Sequence, residues 1–224
     1  MSLSTEIKSG PDDNEEIDDE VRLPADTLAI LQEFLKEQAE AKDEIQEDWQ
    51  LSQFWYNQRT RKVLTEALRD TLQHFYSDTF QDCHIALMSC PSLYPDMKQL
   101  HEKTTIFEYD KRFSKYDPDF VFYDYKKAFE TGYLDEFQNK FELIVMDIPF
   151  LSDECLEKSN ILCRKLAKSD AKIILCTGKV MREAIQRHMN DLQLCKFEPE
   201  HERNLGNDFG TFANFDLDQF IKSD

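Results

Sequence analysis

The sequence predicts an α/β fold: a seven-stranded, doubly wound, mostly parallel sheet closed by a C-terminal antiparallel hairpin. Two observations carry that expectation. From residue 83 onward, short apolar runs alternate with stretches of helical periodicity, the pattern of successive βαβ units. After the fifth run the alternation stops. Runs at 194–197 and 211–215 then follow each other with no crossover helix between them, so they must pair antiparallel.

Taken in order, residues 1–24 form an acidic tail whose composition cannot offset the entropy of ordering, so it is expected to be disordered. Residues 25–59 hold an N-terminal helix, with Leu28, Leu31, Phe34 and Leu35 on one face to about Lys42, and then an aromatic lid segment. That segment reads Trp-Gln-Leu-Ser-Gln-Phe-Trp-Tyr over 49–56, amphipathic rings suited to a half-apolar wall over a ligand. The doubly wound domain is expected over 60–220. A helix from Thr60 to about Tyr76 opens it, with Val63, Leu64, Ala67, Leu68 and Leu72 on one face. Strands are expected at 84–89, 104–110, 120–124, 141–147 and 172–177, before the two of the hairpin. A helix over 93–102 follows the first, and a helix or irregular connection around Gly132 follows the third. Ser152 N-caps a helix running to about Lys168, with acids in its first turn. A last helix ends near Asn190.

The 224 residues carry a net charge of -18. The first fifty hold sixteen Asp/Glu against four Lys/Arg, and the rest twenty-nine against twenty-three. A nucleic-acid binder wants a basic stripe, which is missing, so this balance weighs against DNA or RNA and favours a basic protein partner. The six cysteines have no C-x-x-C spacing and the five histidines are scattered, which argues against zinc or any other metal. Cys163 and Cys176 read as small core residues. The acidic N-terminus has no apolar signal region, and no apolar run is long enough to span a bilayer. A reduced, soluble, monomeric, cytoplasmic protein is the expectation.

The chemistry gathers at the strand ends. Successive strands finish at Ser89-Cys90-Pro91, Glu108 and Asp110, Asp124, Asp147 and Thr177, and parallel order places these along one edge of the sheet, where open α/β folds bind ligands. An acid after the second strand suits ribose hydroxyls, and Asp124 suits an adenine amine. The first turn has no glycine, whereas a dinucleotide or P-loop site needs glycines to let phosphates approach a helix N-terminus. A nucleoside cofactor without phosphates remains, and S-adenosylmethionine is the natural candidate. Phe141–Asp147 runs as a buried strand into Asp147, and Pro149 and Phe150 then set a stiff turn and an aromatic wall beside the carboxylate.

At this point the sequence resembles a known family. Asp147-Ile-Pro-Phe150 resembles the (Asp/Asn)-Pro-Pro-(Tyr/Phe/Trp) motif of amino-methylating class I S-adenosylmethionine-dependent methyltransferases, whose sheet is Rossmann-like, with Ile148 where that motif has its first Pro. The blocks at 49–56, 107–113, 122–125, 175–178 and 203–207, with Ser89-Cys-Pro-Ser-Leu-Tyr94, look like the eukaryotic elongation factor 1-alpha lysine methyltransferases, formerly described as adenine-N6 DNA methyltransferases.

The resemblance implies methyl transfer to a lysine ε-amine of elongation factor 1-alpha. Asp147 would orient the amine within a rigid turn made with Pro149, and Phe150 would hold the methylammonium by cation–π contact. Glu108, with Asp110 as understudy, would bind ribose and Asp124 adenine. The turn containing Ser89, Cys90, Pro91 and Tyr94 would hold the methionine end, and Trp55 and Tyr56 would close the pocket. Arg203, Asn204 and Asn207 would shape the substrate entrance or form a structural turn. Two other readings stand beside this one: adenine-N6 methylation of DNA or RNA, which uses the same acceptor-plus-aromatic chemistry, and a non-catalytic binding module with a degenerate site.

Overall fold

A computed structural model of the chain describes residues 45–51, 53–203 and 205–222. The acidic tail expected over 1–24 and the helix expected to about Lys42 lie outside the described residues. Among the rest, seven strands form one sheet: β1 (Ile85–Met88), β2 (Thr104–Glu108), β3 (Phe120–Phe122), β4 (Phe141–Asp147), β5 (Ala167–Gly178), β6 (Gln193–Leu194) and β7 (Phe209–Ala213). Their order is β3-β2-β1-β4-β5-β7-β6. β1 to β5 pair in parallel, and β7 runs antiparallel to both β5 and β6. This is the doubly wound sheet with a reversed C-terminal strand that the sequence predicts. The chain leaves β1 toward β2 on one side and returns to β4 on the other, so the switch point lies above the carboxyl ends of β1 and β4.

Helices cover both faces. α1 (Gln58–Tyr76) and α2 (Tyr94–Leu100) pack Leu64, Leu68, Leu72 and Met97 against Ile85, Leu87, Ile106, Leu143, Val145 and Ile174. α3 (Asp153–Leu166) and α4 (Arg182–His188) pack Leu156, Leu162, Leu166 and Ile185 against Ala86, Phe107, Ile144, Met146 and Leu175 on the other. Alternation along each strand fixes which side chains face which layer. Continued past the core, it puts Glu108 and Asp147 on the α1/α2 face, in phase with Ile106 and Val145.

The element ends differ from expectation for local reasons. α1 begins two residues early because Asn57 caps it, its Oδ1 accepting the Thr60 amide at 2.8 Å. β2 stops at Glu108 because the amides of Tyr109 and Asp110 turn back to the Glu108 carboxylate, at 2.9 and 3.0 Å. β7 is shifted toward the N-terminus. Asn214 ends it by offering its side chain in place of main chain, accepting from the Ile173 amide and donating to the Ala171 carbonyl at 2.8 and 2.9 Å. β6 is short because the Lys196 amide donates to the Asp218 carboxylate at 2.9 Å instead of continuing the ladder. The connection around Gly132 is irregular, with 3-10 turns at Tyr125–Lys127 and Asp135–Phe137. Ser152 caps α3 as expected, its Oγ accepting the Cys155 amide at 3.2 Å.

Candidate active site

A cavity of about 530 Å³ opens over the carboxyl ends of β1 to β4. Its floor holds Ser89, Cys90 and Pro91 after β1, Glu108 at the end of β2, Asp124 after β3, and Asp147, Pro149 and Phe150 at the end of β4. The roof is built from two distant segments. Gln53, Phe54 and Trp55 come from ahead of α1, and His201, Leu205, Gly206 and Asn207 from between β6 and β7. The two are sewn together: Trp55 O accepts the Glu202 amide at 2.8 Å, Tyr56 and His201 form an isolated β-bridge, and Asn57 N donates to Glu200 O at 3.0 Å. The Trp55 amide and Arg203 both bind Glu47, at 2.8 and 3.1 Å.

The floor is electrostatically unusual. Glu108 is buried, and burial pushes its carboxyl up to about 7 against the two backbone hydrogen bonds to Oε1. Asp147 is partly exposed through the cavity and is pushed up to about 7, by burial first. The Tyr56 hydroxyl draws it down, and the Glu108 charge adds to the rise. Two carboxyls that resist ionising at the floor of one cavity are placed to receive a positively charged ligand.

The first turn solves without glycine the task that glycines perform in related turns. Ser89 takes φ of +55°, in the left-handed region, and its amide donates to Phe107 O at 2.9 Å. A non-glycine residue there is strained by the order of 1 kcal/mol and is held by its surroundings. Cys90 is buried, its thiol donating to Val145 O at 3.5 Å, and Pro91 starts a 3-10 turn into α2. At the opposite rim, Phe150 is 40 % exposed, with its ring 6.2 Å from Tyr125. Ile148 points the other way into the core, so the motif position without proline is held by packing.

The description "probable N6-adenine methyltransferase" matches residues 47–217. The chain belongs to this methyltransferase family. A protein-lysine N-methyltransferase of Drosophila melanogaster is 44% identical, the match covering 92% of this chain and 100% of that one. EEF1A lysine methyltransferase 1 of Mus musculus is 38% identical, covering 90% and 95%. Among solved structures, the branched-chain polyamine synthase of Thermus thermophilus has a TM-score of 0.50 at 10% identity, covering 78% of this chain and 60% of that one, which speaks to the fold alone.

In this methyltransferase the residues singled out from the sequence divide into two sets. Trp55, Ser89, Cys90, Pro91, Glu108, Asp124, Asp147, Pro149 and Phe150 converge on the cavity. Asp124 also caps the turn after it, its Oδ1 accepting the Lys126 amide at 2.9 Å. Tyr94, Asp110 and Tyr56 stand outside the lining. Tyr94 is buried beneath the turn and donates to Asp119 at 2.7 Å. Asp110 holds Arg112 and Gln53. Burial alone would raise its carboxyl, but the Arg112 hydrogen bonds outweigh it and hold it low. That leaves Glu108 as the acid after β2 that faces the ligand space. Tyr56 lies wholly buried below the roof. Asn207 lines the cavity, and Asn204 lies outside the described residues. Gln53 and His201 are the contributors that the sequence did not single out for roles of their own. The Gln-rich aromatic strip pointed toward Gln53, whereas nothing local pointed to His201.

Proposed function

We propose that this chain is an S-adenosylmethionine-dependent protein-lysine N-methyltransferase whose substrate is elongation factor 1-alpha, and that it works as a cytoplasmic monomer. The observation that carries the reading is Asp147 at the cavity floor, with Phe150 at the rim and the buried Glu108 carboxyl two strands away on the same sheet face. The names borne by the Drosophila and mouse relatives support the lysine and the elongation factor.

The residues fit the cofactor. Glu108 has one oxygen committed to backbone amides and faces the cavity, which suits a ribose diol. Asp124 is placed for the adenine amine, and Ser89 to Pro91 for the methionine end. When bound, S-adenosylmethionine supplies a methyl group already activated on a sulfonium, so the protein's task is alignment and exclusion of water. An unperturbed lysine has a pKa of about 10.4 and must lose a proton before it attacks. Desolvation of that amine against the Phe150 ring would favour its neutral form, the proton leaving to solvent. Asp147 would accept an N–H from that amine and orient its lone pair for attack. As the nitrogen becomes cationic, the Phe150 face and the Asp147 carboxylate stabilise the new charge.

Adenine methylation would need a grip on phosphates. Among the residues lining the cavity, Lys126 is the one Lys or Arg, set against Glu108, Asp124 and Asp147. Incubation with labelled cofactor and either elongation factor 1-alpha or nucleic acid, followed by mass spectrometry of the protein, separates the readings. Label on a lysine of the elongation factor is expected. Label on nucleic acid alone, or on neither, would reject the proposal. Asp147→Ala should abolish transfer with cofactor affinity retained, whereas Glu108→Ala should lose cofactor affinity in calorimetry.

A further inference from the structure

Tyr56 is fully buried, and its hydroxyl meets no partner at full hydrogen-bond geometry, although it stands near enough to the Asp147 carboxyl to draw its pKa down. Leaving such a group unsatisfied costs about 1–3 kcal/mol, so phenylalanine would serve the core better. The location explains the choice. Tyr56 packs in the α1/α2-side layer with Val145, Cys90 and Cys176. Asp147 lies two residues beyond Val145 on the same face of β4 and pairs with Cys176 across β5. The groups around the hydroxyl are therefore Asp147 and the Cys176 and Cys90 thiols, and the His201 ring lies 5.2 Å from the Tyr56 ring. The thiols are kept neutral by burial, and burial pushes the His201 imidazole down to about 4, so neither supplies a charge at neutral pH. Glu108 is the other acid near Asp147 and opposes its ionisation.

We propose that Tyr56 is the positioning residue for Asp147: its hydroxyl donates to the carboxylate, holding the acceptor ionised and turned toward the substrate amine. The inference rests on the reading of Asp147 as that acceptor. Phenol is a donor that this apolar layer can hold neutral. It supplies one hydrogen bond to the charged form of Asp147, and the other polar groups beside it are the neutral Cys90 and Cys176 thiols. The roof segment carrying Tyr56 is fixed by the His201 bridge and the Asn57 cap, so the donor is held in place before substrate arrives.

The test is Tyr56→Phe, assayed for kcat across pH with cofactor and protein substrate saturating, so that titration of Glu108 appears in cofactor binding instead. Melting temperature at or above that of the parent is expected, with unchanged cofactor affinity. The rate should fall about tenfold or more, and the acid limb of the profile should move to higher pH. Replacing Tyr56 with 3-fluorotyrosine keeps the ring and makes a stronger donor, so the limb should move to lower pH. Parental rate and profile in Tyr56→Phe would overturn the assignment. So would a rate loss that tracks a lowered melting temperature with the limb unmoved. If Tyr56→Phe does not fold, the fluorotyrosine enzyme decides, and an unmoved limb overturns the proposal. Full activity in Asp147→Ala would sink the acceptor reading itself. Inactive Asp147→Ala beside an unaltered Tyr56→Phe would sink the positioning role alone.

Discussion

Gln53 clasps Asp110 from the far side of the cavity. Its amide Nε2 donates to Asp110 Oδ2 at 3.1 Å while its carbonyl accepts Arg112 Nη2 at 3.2 Å. Arg112 completes the triangle by pairing with Asp110 through Nε at 2.8 Å. The aromatic strip that roofs the site is thereby fastened to the loop after β2, directly beside Glu108. Gln53→Ala should loosen residues 53–56 and weaken cofactor binding about tenfold, the worth of one buried hydrogen bond. Hydrogen exchange and calorimetry read the two effects. Asp110→Ala should cost a similar amount, and the double variant little more, because both remove one clasp.

The two raised carboxyls predict a pH-dependent stability for the ligand-free protein. Burial lifts the Glu108 and Asp147 carboxyls to about 7 in the folded protein, above their ordinary values of 4.5 and 3.8. A group raised in this way favours the folded state while protonated. Its contribution is complete below the unfolded value and is lost as pH climbs to about 7. Glu108→Gln and Asp147→Asn should therefore each raise stability at pH 8 by on the order of 1–3 kcal/mol, with the gain vanishing below about pH 4. Thermal unfolding across pH checks it. Equal gains at pH 4 and pH 8 would show that the ionised forms are not the source.

Ser89→Gly should leave stability within about 1 kcal/mol of the parent, because relief of the left-handed backbone offsets the added freedom of glycine when unfolded. Ser89→Val should lose more than about 2 kcal/mol, since a β-branched residue tolerates that φ poorly. Chemical denaturation of the two variants measures the gap.

Phe150→Leu keeps an apolar rim and discards the ring face. Turnover should fall about threefold to thirtyfold, the range for a contact of roughly 0.5 to 2 kcal/mol, and Phe150→Tyr should restore most of it. Equal rates in all three enzymes would remove cation–π contact from the mechanism.

What could be read from the sequence followed from local pattern. Apolar runs ending in acids marked the strands and the edge they share, and glycine-free chemistry at Ser89 excluded pyrophosphate. Long-range partners set the rest. The resemblance ranks Glu108 ahead of Asp110, and in the fold Arg112 and Gln53 separate them by claiming Asp110, Gln53 from 57 residues away. Tyr94 follows the first turn closely, yet Asp119 draws its hydroxyl away from the cavity. The boundaries of β7 are set by the Asn214 side chain and by the Asp208 carbonyl, which accepts the Lys179 amide at 2.7 Å. Neither partner leaves a trace in hydrophobic periodicity. The φ of Ser89 is likewise invisible, since serine gives no hint of a left-handed backbone.

The bridge from Tyr56 to His201 joins a segment ahead of the first strand to one just before the last. Synthesis from the N-terminus therefore lays down Glu108 and Asp147 well before the stretch that covers them. A nascent chain halted after β5 carries the reactive floor of an enzyme but only half of its ceiling. The catalytic chamber is finished only when residues 201–209 have left the ribosome.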